Sequence, residues 1–331
     1  MNNNCFLSAL SSHVPENVLT NEAISRIVDT SNQWIVERTG IRQRRKIGDK
    51  ENASDLGLAA ARKTLREAGL SGKNLTHIIA ATCTPDYLSP SVACIIGGQI
   101  EAGPLMAFDM QAACTGFIYG LSLCASLLES SPDSKILLVC TEALTRRLNW
   151  LDRSTCVLFG DAACACLFST QATPGSFKIV DSLCQSDGQL KELILVGGGT
   201  SCQYQIGQET DENFFLSMQG RDTYRHAVRQ MVNVCQNLLQ RNQIGIEDIN
   251  LFVPHQANMR IIEAVGQRLN IPMEKVFTNV GKYGNTSAAS IPLALKEAMD
   301  EKRIEPGALI LITAFGAGLT WGAALLKYHA A

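Results

Sequence analysis

Apolar and polar positions follow two rhythms along this chain. Short runs of mostly apolar residues recur at 6–10, 77–83, 105–110, 136–141, 164–168, 177–183, 249–254, 309–314 and 322–327. Each has the length and continuity of a buried strand. Between several of them the period lengthens to three and four. Tyr224, Val228, Met231, Val232, Cys235, Leu238 and Leu239 share one stripe of a helix over 221–241. Residues 54–69 predict a second helix, capped by Ser54 and closed on Gly69, and 115–129 a third. Strands alternating with helices predict an α/β protein with buried sheets.

The alternation also repeats. "THIIAATCTPDYLSPSVACIIGGQI" and "INLFVPHQANMRIIEAVGQRLN" each read strand, loop, helix. "LMAFDMQAACTGFIYGLSLCASLL" is matched by "KVFTNVGKYGNTSAASIPLALKEAM", and "SKILLVCTEAL" by "GALILITAFGAG". Three units in the same order predict an internal duplication, with halves at 1–172 and 173–331 and turn residues at the joint, 170–176. A site between such halves draws residues from both.

Composition narrows the function. The chain has 331 residues, 46% hydrophobic and 18% charged, with net charge −2. That suits a large core, and the lack of a basic block argues against nucleic acid as a partner. Apolar runs such as 308–315 fall short of the ~20 residues that span a bilayer. The opening "MNNNCFLSALSSHVP" lacks a signal-peptide pattern, so a cytoplasmic protein is expected. Twelve cysteines include no C-x-x-C pair, and H-E-x-x-H is missing, so neither a metal site nor a disulfide framework is expected. "VGGGTS" at 196–201 lacks dinucleotide-binding spacing and reads as a turn.

One cysteine stands apart. Cys114 lies where an apolar strand hands over to a helix beginning Thr115, Gly116. Free N–H groups and the helix dipole there favour thiolate, so its pKa is expected below ~8.5. His255, one of five histidines, follows another strand in "NLFVPHQANMR". Asn285 opens a helix in "GKYGNTSAAS", the segment matched to "MQAAC", which makes Asn285 the expected symmetry mate of Cys114. Three corners at three strand ends converge more readily on one site than on three separate roles.

Together "DMQAACTGF", "VPHQAN", "GNTSAASIP" and "AFGAGLTWGAALL" resemble β-ketoacyl-acyl-carrier-protein synthase III, a thiolase-superfamily condensing enzyme. "TSNQWIVERTGIRQRR" and "LFGDAACACLF" extend the resemblance over the whole chain. It implies a five-layer αβαβα thiolase-like fold of two duplicated halves, in a homodimer. It implies acyl-CoA and malonyl-acyl carrier protein as substrates and no cofactor or metal. Cys114 becomes the acyl-accepting nucleophile, with His255 and Asn285 as donors to the enolate. Backbone N–H groups of Cys114 and of Ala317 or Gly318 become the oxyanion hole. Trp34 and Arg153 match an adenine sandwich, Arg38 a phosphate contact, Asn258 a pantetheine contact and Gly220 a tunnel wall. Arg225 and Arg260 match the patch that receives the carrier protein.

Two departures qualify the resemblance. Ser89 stands at the position in the dimer loop where the family often carries a phenylalanine that limits primer length, so Ser89, Tyr87 and Leu88 are expected around a pocket for longer acyl chains. Ala317 replaces a common glycine, and a positive φ there would be strained. Rival readings are a same-fold acyltransferase of secondary metabolism, including a quinolone-type condensing enzyme, using another acceptor; a papain-like cysteine hydrolase, whose "CGSCW" context is missing; and a non-enzymatic scaffold, which would have lost the three site residues.

Overall fold

The computed structural model describes residues 4–202 and 212–329. Its strands are β1 Phe6–His13, β2 Val18–Thr20, β3 Gln43–Arg45, β4 His77–Ala81, β5 Met106–Met110, β6 Ile136–Glu142 and β7 Ala162–Ser169. They continue with β8 Ser176–Ser186, β9 Ile194–Leu195, β10 Ser217–Met218, β11 Leu251–Pro254, β12 Leu309–Gly316 and β13 Thr320–His329. The helices are α1 Asn21–Ser25, α2 Asn32–Thr39, α3 Ala53–Glu67, α4 Val92–Gln99, α5 Gly116–Ser130, α6 Gly220–Asn242, α7 Met259–Arg268, α8 Val280–Tyr283 and α9 Ser290–Asp300.

Nine strands join in the order β11-β12-β13-β8-β1-β7-β6-β4-β5. β1 and β8 meet only through Phe6 and Leu7, so the ladder is thin at its midpoint. On either side the pattern is the same. β4 runs parallel to β6 as β11 does to β12, and β7 lies antiparallel between β6 and β1 as β13 does between β12 and β8. Phe252 even bridges Val276 where β4 pairs with β5.

Three apolar cores separate the layers. Helices α3 and α4 cover one half-sheet through Leu56, Ala60, Leu65 and Ile96. α6 and α7 cover the other through Val228, Met231, Leu238 and Ile262. Between the half-sheets lie α5 and α9, packed on both through Phe117, Leu121, Leu128, Ile291 and Leu295. This is the five-layer αβαβα arrangement. Each such buried side chain contributes about 1.5–3 kcal/mol. The central layer explains a feature the apolar-run count missed: the 18 residues Ala113–Ser130 average a hydropathy of 1.2, enough by length and composition to cross a membrane, yet their apolar faces are taken up by two sheets.

Local capping differs from expectation in one place. Asn52, not Ser54, precedes α3, and the Asp55 carboxylate accepts its N–H at 2.8 Å. The Ser54 hydroxyl instead donates to Asp86. The 196–201 segment carries neither helix nor strand, as a turn requires.

A buried arginine holds the segment through which the first half pairs with the second. The Arg44 guanidinium, wholly buried, donates to Asn21 Oδ1 at 2.7 Å and to the Val157 carbonyl. Segment 158–160 then pairs with the second half, Asn285 N–H to Leu158 O at 2.9 Å and Gly160 N–H to Asn285 O at 3.0 Å. A Cβ on Gly160 would stand 2.3 Å from the Tyr283 carbonyl oxygen, which is backbone and cannot step aside. Gly160→Ala is therefore expected to cost about 1–3 kcal/mol, read as a lowered denaturant midpoint with an unchanged m-value.

Candidate active site

Both central helices are entered through a 3-10 turn, Ala113–Thr115 before α5 and Ser287–Ala289 before α9. Each turn begins with a non-glycine residue at positive φ, +46° at Ala113 and +48° at Ser287. Such backbone is strained and persists only where surroundings impose it. The two turns press together: a Cβ on Gly116 would lie 3.0 Å from that of Ala288. Ala113 and Ser287 are 174 positions apart, and so are the strand-entry pairs Thr76–Lys135 and Asn250–Leu309. This register corrects the expected symmetry. The mate of Cys114 is Ala288, and the mate of Asn285 is Gln111, three residues before Cys114. Only one of the two turns carries a thiol.

Cys114, His255 and Asn285 nevertheless line one cavity of about 550 Å³. Trp34, Arg38, Arg153, Gly220, Asn258, Arg225 and Arg260 line the same cavity, so every CoA-binding and carrier-docking candidate lies on its wall. Arg38 and Arg153 each place the guanidinium carbon 4.8 Å from the Trp34 ring centre. Arg153 also donates to the Asp29 carbonyl at 2.8 Å. An arginine thus already occupies stacking distance of the indole, and an aromatic base enters between them only if Arg153 shifts. Asn258 caps α7, accepting from Arg260 N–H at 2.9 Å, while its amide faces Arg38 O at 3.3 Å. Arg225 pairs with Asp222 at 3.6 Å on the exposed rim.

Asn285 is buried, and its Oδ1 accepts the Ser287 N–H at 2.9 Å. That leaves the Nδ2 donor to face the cavity. His255 is buried, with its backbone N–H on Thr313 O at 2.8 Å. Its Nδ1 lies 2.6 Å from Ser290 Oγ, which also lies 3.5 Å from Gln256 N–H. With Ser290 Oγ facing that N–H, its own proton is free for Nδ1, and the imidazole proton then sits on Nε2. Burial pushes the His255 pKa down to about 3, so the ring is neutral.

Cys114 corrects the thiolate expectation. Burial pushes its thiol up to about 12, the Ser287 hydroxyl pulling the other way and Glu142 adding to the rise. The helix terminus does not overcome desolvation, and the resting group is a thiol. Beside it, the missing side chain of Gly316 lets the β12–β13 turn close over the nucleophile: a Cβ there would stand 2.7 Å from Cys114 N. Thr320 Oγ1 lies 3.0 Å from Ala317 O and 3.2 Å from Ala112 O, tying that turn to the nucleophile turn. Ala317 is not among the positive-φ residues; Gly318 takes the unusual φ of +139°, so the feared strain at Ala317 does not arise.

Tyr87, Leu88 and Ser89 stand apart from the other site residues, as a dimer loop does. They are exposed, Leu88 by 85%, and lie outside this chain's cavity. Within one chain they cannot bound an acyl pocket. Sequence reasoning also missed Ser290, Thr320, Ser287 and Glu142. The first three stand inside quoted motifs, but their tasks depend on contacts across the joint.

The family model for 3-oxoacyl-[acyl-carrier-protein (ACP)] synthase III matches residues 108–188, and that for its C-terminal part matches 239–328. A β-ketoacyl-[acyl-carrier-protein] synthase III of Oleidesulfovibrio alaskensis is 49% identical over 329 residues, covering 99% of this chain and 100% of that one. The chain belongs to the 3-oxoacyl-[acyl-carrier-protein] synthase III family. It is an acyl-transferring condensing enzyme. Crystal structures of synthases III from Aquifex aeolicus and Thermus thermophilus superpose with TM-scores of 0.88 and 0.89, at 43% and 39% identity. They cover 97% and 98% of this chain, and 98% and 99% of their own. The thiolase-like architecture of the synthase III family thus extends over all described layers.

Two predictions follow from the cavity. His255 held neutral should show unchanged ring nitrogen shifts between about pH 5 and pH 8 in ¹⁵N-labelled protein. Its folded pKa of about 3 lies below the ordinary 6.5, so the unfolded chain takes up a proton the folded one refuses. Stability is accordingly lost as pH falls through that window, and a His255→Phe variant should lose that part of the slope. At Gly220 a Cβ would meet open space within 4 Å. Gly220→Leu should leave the melting temperature within a degree or two but raise KM for acyl-CoA at least tenfold, checked by initial-rate kinetics.

Proposed function

We propose that this cavity carries out a two-stage decarboxylative Claisen condensation, priming fatty acid synthesis from acyl-CoA and malonyl-acyl carrier protein. The observation that carries the reading is the convergence of Cys114, His255 and Asn285 on one cavity walled by Trp34 and arginines. In the first stage Cys114 sulfur attacks the acyl-CoA thioester. The Cys114 N–H, with one from the 316–318 turn, receives the oxyanion. Trp34, Arg38 and Arg153 take the adenine and phosphates, a fit for an indole face and two guanidinium groups. In the second stage the malonyl thioester loses CO₂. The enolate oxygen meets His255 Nε2–H and Asn285 Nδ2–H, and its carbanion attacks the acyl-cysteine. Each donor is worth roughly 2.7–4 kcal/mol to the transition state.

The chemistry uses only side chains and backbone of the chain, with no cofactor, and the described residues include no cluster of three metal-ligating groups. Arg225 and Arg260 form the cationic rim that an acidic carrier protein would meet. The enzyme acts as a cytoplasmic homodimer in this reading. Edge strand β5 has a free side, and Met106, Tyr87 and Leu88 leave apolar surface beside it at 53%, 60% and 85% exposure. A second copy covering that edge would place its loop 87–89 against this chain, the setting in which Ser89 bears on primer length.

Radiolabelled acyl-CoA tests the reading. Wild-type protein should retain one acyl group per chain after denaturation, released by neutral hydroxylamine as a thioester is, and Cys114→Ser should retain less than a hundredth of it. Label retained by Cys114→Ser at wild-type level would remove the nucleophile assignment. His255→Ala and Asn285→Ala should each still acylate but lose about 10²–10³-fold in malonyl decarboxylation, followed as CO₂ release.

A further inference from the structure

His255 follows β11 and Asn285 follows α8, so the two donors come from separate segments. Each is anchored to a different neighbour. The His255 backbone N–H is on Thr313 O of β12 at 2.8 Å, and the Asn285 backbone N–H is on Leu158 O at 2.9 Å. Two donors that meet one oxygen also need their segments tied to each other.

The first half makes the corresponding tie with backbone. β4 and β5 pair from His77 and Met106 through to Ala81 and Met110, and the Thr82 N–H adds Met110 O at 3.3 Å. That ladder delivers the chain to the Cys114 turn in register. The second half does not continue its ladder. Phe252 bridges Val276, the Phe277 N–H is on Phe252 O at 2.9 Å, and the chain then leaves the sheet for α8.

Gln256 takes up the backbone groups left there. It is buried. Its Nε2 donates to Pro254 O at 2.8 Å and to Phe277 O at 3.2 Å. Its Oε1 accepts the Asn279 N–H at 2.8 Å and the Val280 N–H at 3.2 Å. An amide has two protons and room for two acceptor bonds, and here all four go to backbone. The orientation is fixed, since a flipped amide would set its oxygen against two carbonyl oxygens. Pro254 immediately precedes His255. At the other end Val280 O accepts the Gly284 N–H at 2.9 Å, next to Asn285. One side chain thus spans from the edge of His255 to the helix that delivers Asn285. With only four residues, α8 cannot hold its place by its own hydrogen bonds. Its far side is fastened to α9 through Glu297, which accepts from Asn279 Nδ2 at 2.9 Å and from the Tyr283 hydroxyl at 2.7 Å.

On the reading of His255 and Asn285 as donors to the enolate, we propose that Gln256 is a positioning residue for decarboxylation, its side-chain amide setting the separation of the two donors. Gln256 touches no reacting atom. Cys114 and the 316–318 turn, which serve acylation, lie outside the span it bridges. The two half-reactions therefore depend on it unequally. Without the amide, segment 277–285 can shift against β11, and the enolate oxygen meets donors out of register. A misplacement of about 1 Å costs about 10²-fold in rate.

Labelled acetyl-CoA and then malonyl-acyl carrier protein, given to the whole enzyme, test this. Quenched-flow labelling reads acylation of Cys114, and CO₂ released per acylated chain reads decarboxylation at folded sites alone. Gln256→Met keeps the bulk and removes the amide. It should acylate within about threefold of the wild-type rate and lose at least about tenfold in CO₂ release per acylated chain. Gln256→Glu keeps the shape but has at most one proton for two carbonyls. It should show the same split, and it decides the matter if Gln256→Met fails to fold. A smaller loss in CO₂ release would overturn the proposal, as would acylation falling in step with it, which is what general loosening of the fold produces. His255→Ala and Asn285→Ala, run alongside, separate the two levels. If they release CO₂ at the wild-type rate, the donor reading falls and the proposal with it. If they lose about 10²–10³-fold while Gln256→Met does not, the proposal alone falls.

Discussion

The contact on which the rest depends is that between two strained turns, 113–115 and 287–289, pressed together at the middle of the molecule. Everything chemical is arranged around it. The turns start the two central helices, and those helices are clamped by both half-sheets. Positive φ at Ala113 and Ser287 is affordable because neither turn can relax without displacing the other. Helix entry, thiol position and the Asn285 amide are thus fixed by a single piece of packing rather than by separate devices.

Desolvation is the second governing effect. It keeps Cys114 a thiol and His255 a neutral imidazole, so the resting cavity contains no ion pair at its centre. A neutral ring with its proton on Nε2 suits a hydrogen-bond donor better than a base, and the neighbouring Ser290 oxygen supports that tautomer. Charge is kept at the periphery, in Arg38, Arg153, Arg225 and Arg260, where water screens it.

Much of this was readable from the chain. Strand-length apolar runs and the 221–241 stripe located the main-sheet strands and the longest helix because burial on two faces leaves an unbroken apolar signal. Motifs identified Cys114, His255 and Asn285. What sequence could not carry was anything decided by contact between distant segments. The helix-start argument for Cys114 was sound locally, but desolvation by the opposite half outweighs it. Matching "GKYGN" to "MQAAC" erred by three residues, since similarity of strands and helices does not register a turn; the backbone angles do. Ser54 looked like a cap and serves Asp86 instead. Loop 87–89 is exposed, so what it walls depends on a second copy, which a single sequence does not display.

The closeness of Gly116 and Ala288 has a consequence for descent. Two copies of an ancestral unit ordinarily drift apart freely once one of them holds the chemistry. Here a methyl gained at Gly116 would press on those of Ala288 at 3.0 Å and Ala81 at 3.2 Å, so its neighbours would have to give by a few tenths of an ångström. At that contact the silent copy is not free to change bulk independently of the working one.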